Sequence, residues 1–165
     1  MTDRSARHAS FVITREFAAP PALVFSAWAD NKAKAHWFVG PADWKQVRRE
    51  LDLRVGGNER LIGRFPNGRT TDFDAHYGDI VTDQRLVYTY TMRLNDVPIS
   101  ISLATVEFAP SAKGTRMTFT EQAVFLDGYD DPGAKDRQRG TDAHFERLDA
   151  FLKTVPAGEE PCNTP

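Results

Sequence analysis

Thr115-Arg116-Met117-Thr118-Phe119-Thr120-Glu121-Gln122-Ala123-Val124-Phe125 is the stretch on which the fold turns. Met117, Phe119, Ala123 and Phe125 fall on one side, and Arg116, Thr118, Thr120, Gln122 and Val124 on the other. Period-two alternation marks a strand with one face covered. Glu121 lands on the oilier face. An unpaired charge there is costly, so this acid must be paired, protonated or turned toward a polar hollow. Glu121 is therefore the best single pointer to a pocket.

Working outward, the same alternation recurs along most of the chain. Ser10–Phe17 reads as a first strand, with Phe11, Ile13 and Phe17 opposed to Val12, Thr14 and Glu16. Pro20-Pro21 opens a short helix carrying Leu23, Val24, Phe25, Ala27 and Trp28. Asp30 suits the N-cap of a second, running to about Trp37. Strands follow at Val47–Val55, Glu59–Phe65, Phe73–Val81, Leu86–Leu94 and Ile99–Leu103, divided by turn signals such as Pro66-Asn67-Gly68 and Asn95-Asp96. In the strand Val47–Val55, Arg49 shares a face with Leu51 and Leu53. Beyond Asp131-Pro132, a helical N-cap and first-turn signal, Thr141, His144, Phe145, Leu148, Phe151, Leu152 and Val155 recur at three- and four-residue steps.

Short connections between successive strands predict an antiparallel sheet. The expected class is α+β: a curved sheet of about seven strands on a long C-terminal helix, with two short helices after the first strand. A twisted sheet cannot lie flush on one straight helix along its whole length, and the mismatch predicts a hollow between them. One domain is expected over residues 10–155, with disordered tails at 1–9 and 156–165.

Composition excludes several classes of function. Lys plus Arg total 21 and Asp plus Glu 23, a net charge of −2 that is no footprint for nucleic acid. Cys162 is the only cysteine, so no internal disulfide or thiolate metal site is available. His8, His36, His76 and His144 show no zinc-enzyme spacing. No metal or other cofactor is expected. The N-terminus has no apolar signal region, and no run is long enough to span a membrane, which predicts a cytoplasmic protein.

The proline-led Ala19-Pro20-Pro21-Ala22-Leu23-Val24-Phe25-Ser26-Ala27-Trp28, Trp37, Arg54-Val55-Gly56-Gly57 and Arg85-Leu86-Val87-Tyr88-Thr89-Tyr90 occur in one order. Thr120-Glu121-Gln122 and Phe125-Leu126-Asp127-Gly128-Tyr129-Asp130 complete it. From about Phe11 to Leu152 the chain resembles the START-like, or SRPBCC, helix-grip superfamily. Within it, the chain resembles the branch of homologues of the heat-shock protein 90 ATPase activator, in its single-domain bacterial form. The resemblance implies the helix-grip fold, and a superfamily that spans lipid carriers, polyketide cyclases, aromatases and hormone receptors. The chaperone-binding N-terminal domain of the eukaryotic co-chaperone finds no counterpart in these residues.

Three readings of function follow. The first is a binding module for a small hydrophobic or aromatic molecule held between sheet and helix. Arg49, Tyr88, Tyr90, Glu121 and His144 would supply polar handles, and Leu51, Met92, Ile101, Phe119 and Phe145 the apolar wall. Arg49 and Glu121 are expected to pair or to clamp a ligand group together. The second is a cyclase-, dehydratase- or hydrolase-type enzyme with Glu121 as general acid or base. The third is a chaperone partner acting through its outer surface. Trp28 and Trp37 read as packing anchors, and Trp44 as a cap on the cavity mouth. Gly140 reads as a bend in the last helix or a point of close approach, and an exposed strand edge as a route to a homodimer.

Overall fold

The computed structural model describes residues 4–129 and 131–156, with only the backbone of 131 and 132. Strand β1 (Ala6–Phe17) is followed by helices α1 (Pro21–Ala29) and α2 (Asn31–Lys34). Strands β2 (Lys45–Leu51), β3 (Asn58–Arg64), β4 (Thr70–Val81), β5 (Arg85–Leu94), β6 (Val97–Ser111) and β7 (Gly114–Leu126) come next, and helix α3 (Asp131–Leu152) ends the order. The strands form one antiparallel sheet in the order β1-β7-β6-β5-β4-β3-β2. This is the helix-grip α+β architecture.

Several boundaries differ from the sequence reading: β2 ends at Leu51 and not Val55, α2 ends at Lys34 and not near Trp37, and β6 runs on to Ser111. β1 starts at Ala6, before the expected Ser10, because Ala6–Ala9 pair with Ala123–Leu126 of β7. The expected C-terminal tail, Cys162 included, lies outside the described residues beyond Pro156, as does the side chain of the expected N-cap Asp131. As expected, Asp30 caps α2, its Oδ1 accepting the Ala33 N–H at 2.7 Å.

The core sits where α1 and the C-terminal half of α3 meet the sheet. Trp28 packs edge-on to Trp37 (4.8 Å between centroids), and Phe145 packs against Phe119 at 5.3 Å and Trp28 at 5.9 Å. The helices are also tied to the segment between α2 and β2. Arg147 donates to the carbonyls of Trp37 and Val39, and His144 Nε2 donates to Val39 O at 3.0 Å. Burial, with Arg147 nearby, depresses the imidazole pKa from 6.5 to about 4, so the ring stays neutral at physiological pH.

A buried ion pair lies beneath this segment. Lys34 Nζ reaches both oxygens of Glu59 at 2.5 and 2.6 Å, and the Tyr77 hydroxyl lies 3.4 Å from Lys34 and 3.3 Å from Glu59 Oε2. The rings of Trp28, Trp37 and Phe38 flank the ammonium within 5.1–5.8 Å. Burial pulls the Lys34 pKa down against the opposing pull of Glu59.

Two measurements check these assignments. Lys34→Met alone strands a buried carboxylate and should cost about 3–5 kcal/mol in urea unfolding, whereas adding Glu59→Leu should restore most of the loss. His144 binds a proton more weakly folded than unfolded. Its contribution is therefore complete above pH 6.5 and lost as pH falls toward 4, an effect of about 3 kcal/mol. His144→Gln should flatten the stability profile over that window.

Candidate functional site

The middle of β6 brings small residues to the inner face of the sheet. In register across β5, β6 and β7 lie Tyr88, Ala104 and Glu121 in one row, and Tyr90, Ser102 and Ala123 in the next. Residues paired across antiparallel strands share a face, so the inner face of β6 is built from Ser100, Ser102 and Ala104. These side chains are too short to reach the helix. A cavity of about 480 Å³ lies between the sheet and the helix, lined here by Tyr88, Tyr90, Glu121 and Arg137, which cover these small residues.

Arg137 descends into this cavity from α3. Its Nη1 donates to the Tyr90 hydroxyl at 2.7 Å and to Glu121 Oε1 at 3.0 Å, and its Nη2 donates to Ser100 Oγ at 2.7 Å. The guanidinium lies 5.4 Å from the Tyr90 ring centre and 5.3 Å from that of Phe125. Glu121, 1 % exposed, takes two further bonds on Oε1, from Tyr90 at 2.6 Å and Ser102 at 2.7 Å. Burial works against the Arg137 charge, but Tyr90 and Glu121 outweigh it and raise the pKa. Burial likewise pushes the Tyr88 and Tyr90 phenols upward, so both stay protonated.

The rest of the wall is mostly aromatic. Trp28, Trp37, Phe38, Phe73, Phe119, Phe125 and Phe145 line the inner part, with Met92, Leu94 and Ile99 along one side. Trp44 lines it too, its Nε1 donating to Thr71 Oγ1 at 2.8 Å. The indole lies so close over Gly63 of β3 and beside Gly40 that a Cβ at either position would collide with it. Gly140 fronts the cavity from α3, and a Cβ there would meet nothing within 4 Å. The helix runs unbroken through it.

Of the expected site residues, the structure brings Tyr88, Tyr90, Met92, Phe119, Glu121, His144 and Phe145 onto one cavity wall. Three lie elsewhere. Arg49 does face inward, opposite Leu61, but β2 is the sheet edge, and β3, β4, β5 and β6 separate it from Glu121 on β7. At about 4.8 Å per strand, that is roughly 24 Å along the sheet. Arg49 donates instead to the Phe38 carbonyl and to Gln46 Oε1, so the expected Arg49–Glu121 clamp does not form. Leu51 packs against the core outside the cavity wall.

Ile101 is 48 % exposed on the outer face, in register with Val124. The error there was one of phase. A bulge between β5 and β6 brings both Ile99 and Ser100 inward, so the apolar series Ile99, Ile101, Leu103 changes face after its first member. Arg137 was missed although a signal existed: it stands four residues before Thr141 and seven before His144, on the apolar stripe of α3 extended by one turn. Among the described residues no group of three His, Cys, Asp or Glu side chains could hold a metal ion. No described helix is long and apolar enough to cross a membrane.

Residues 18–153 match the family described as "Activator of Hsp90 ATPase homolog 1-like protein". The structure is similar to that of an uncharacterized protein from Rhizobium leguminosarum, with 45% identity over 93% of this chain and 100% of that one and a TM-score of 0.87. A protein from Rhizobium loti is similar at 40% identity over 89% and 99% of the two chains, with a TM-score of 0.82. An AHSA1-like protein from Aeromonas hydrophila shares the fold at 20% identity over 88% and 92%, with a TM-score of 0.67. No curated protein matches. With its sheet, grip helix and matched span in agreement, the chain belongs to the Activator of Hsp90 ATPase homolog 1-like family of the START-like, or SRPBCC, superfamily.

Proposed function

We propose that this protein binds a small hydrophobic or aromatic molecule in the cavity between the sheet and α3. The observation that carries this reading is the wall itself: about 480 Å³ bounded by aromatic and aliphatic side chains, with one convergent polar cluster at Glu121, Tyr90 and Arg137. Apolar walls with a few placed polar groups are the usual composition of ligand sites. The cavity is also maintained at some cost. Glycine stands at position 140, where α3 fronts the cavity, although glycine weakens a helix interior.

A second reading rests on one atom. Glu121 Oε2 has no hydrogen-bond partner among the described residues, and a general base needs a free carboxylate oxygen facing bound substrate. Under that reading, Glu121→Gln retains binding and loses turnover.

Gly140 separates function from folding. Gly140→Ala should stabilise the protein by about 1 kcal/mol in thermal or urea unfolding, since the added methyl meets open space. Gly140→Leu should fold as well and yet exclude ligand. Native mass spectrometry of protein from its own host should find a small molecule retained by the wild type and Gly140→Ala, and lost from Gly140→Leu. Retention by all three variants, or by none, would count against a ligand in this cavity.

A further inference from the structure

The chain holds two buried carboxylates on the inner face of its sheet, and they are satisfied differently. Glu59 has both oxygens occupied: Oε1 by Lys34, and Oε2 by Lys34 and Tyr77. Glu121 receives Tyr90, Ser102 and Arg137, all on Oε1. Its Oε2 has no partner among the described residues. The hydroxyl of Tyr88, a residue 6 % exposed, likewise makes no hydrogen bond among them. Neither oxygen is among the fully enclosed unpartnered atoms, which in the described residues are Trp28 Nε1 and Ser111 Oγ. Both residues line the cavity, so both oxygens open onto its space.

A ligand that covers these oxygens without bonding to them leaves them unpaired at a cost, so one that supplies their partners is favoured. Resting on the cavity-binding reading, we infer that the ligand is a neutral hydroxylated aromatic, its hydroxyl donating to Glu121 Oε2 beside the Tyr88 hydroxyl. A carboxylate-bearing ligand would meet the free carboxylate oxygen, like charge against like. An ammonium would enter beside the Arg137 guanidinium, which stands 3.0 Å from the other oxygen of the same acid. A neutral O–H meets neither penalty and supplies the missing donor. Tyr88 and Glu121 flank Ala104 in one cross-strand row, so the polar end of the ligand lies over the small residues of β6. Its ring lies among the aromatic walls.

Isothermal titration with 1-naphthol, naphthalene, 1-naphthoate and 1-acetonaphthone tests the assignment. The wild type should bind 1-naphthol about tenfold or more tighter than naphthalene or 1-naphthoate. In Glu121→Gln the amide oxygen takes the three donors of Oε1 and the amide N–H turns to the cavity, so preference should pass from 1-naphthol to 1-acetonaphthone. Tyr88→Phe removes a hydroxyl that makes no hydrogen bond among the described residues. It should weaken 1-naphthol several-fold and leave naphthalene unchanged, which decides the matter even if Glu121→Gln does not fold. Equal binding of 1-naphthol, naphthalene and 1-naphthoate would overturn the hydroxyl assignment and leave the cavity reading standing. So would an unchanged ranking in Glu121→Gln or an unaltered 1-naphthol affinity in Tyr88→Phe. Binding of none of the four would overturn both.

Discussion

The contact between Arg137 and Glu121 joins the one long helix to the sheet at the place where the two surfaces are not complementary. Further along α3, Phe145 and Leu148 enter the core and hold the helix by burial. Over β6 there is no such packing, because Ser100, Ser102 and Ala104 are too short to meet it. A guanidinium spans the gap, lying over the Tyr90 and Phe125 rings with its N–H groups on Glu121, Tyr90 and Ser100. Arginine suits this position because its planar, multiply donating head can satisfy several acceptors at once while lying against aromatic rings. The helix is thereby held over a hollow rather than collapsed into it.

Two buried ion pairs among the described residues have opposite relations to that hollow. Lys34 and Glu59 satisfy each other with help from Tyr77, and aromatic rings enclose the ammonium. Such a pair closes a wall. Arg137 and Glu121 leave an acceptor over, and the neighbouring Tyr88 leaves a hydroxyl. Desolvation makes an ion pair a poor source of net stability, so an incompletely satisfied one is better explained by what it faces than by what it holds together. The cavity wall thus carries one finished polar station and one unfinished one. The aromatic lining between them includes all three tryptophans of the chain.

Much of the fold was legible because its elements are amphipathic at their own periods. The period-two runs gave strands at every expected place, Asp30 capped α2, and the three- and four-residue steps from Thr141 to Leu152 gave α3. Glu121 was legible as a cavity residue for the same reason: the pleat sends every second side chain to one face, whatever its chemistry. The failures came where a local irregularity broke the period or where the question concerned distance. The β5–β6 bulge sent Ile101 outward while the serines beside it turned in. Arg137 was passed over because the helical stripe was read only from Thr141 onward, although its spacing placed it on that stripe.

Periodicity within each segment was enough to establish which face the regular residues take and that a long helix must cover the sheet, and the short connections established that the strands are antiparallel. It could not establish which residues meet. Arg49 and Glu121 both face inward, as their alternation required, yet four strands lie between theirs. Strand order is a property of how the whole chain closes on itself, and local pattern carries no information about it. Only the assembled sheet put Tyr90, Ser102 and Glu121 side by side, brought Arg137 over them from another element, and left one carboxylate oxygen facing open space.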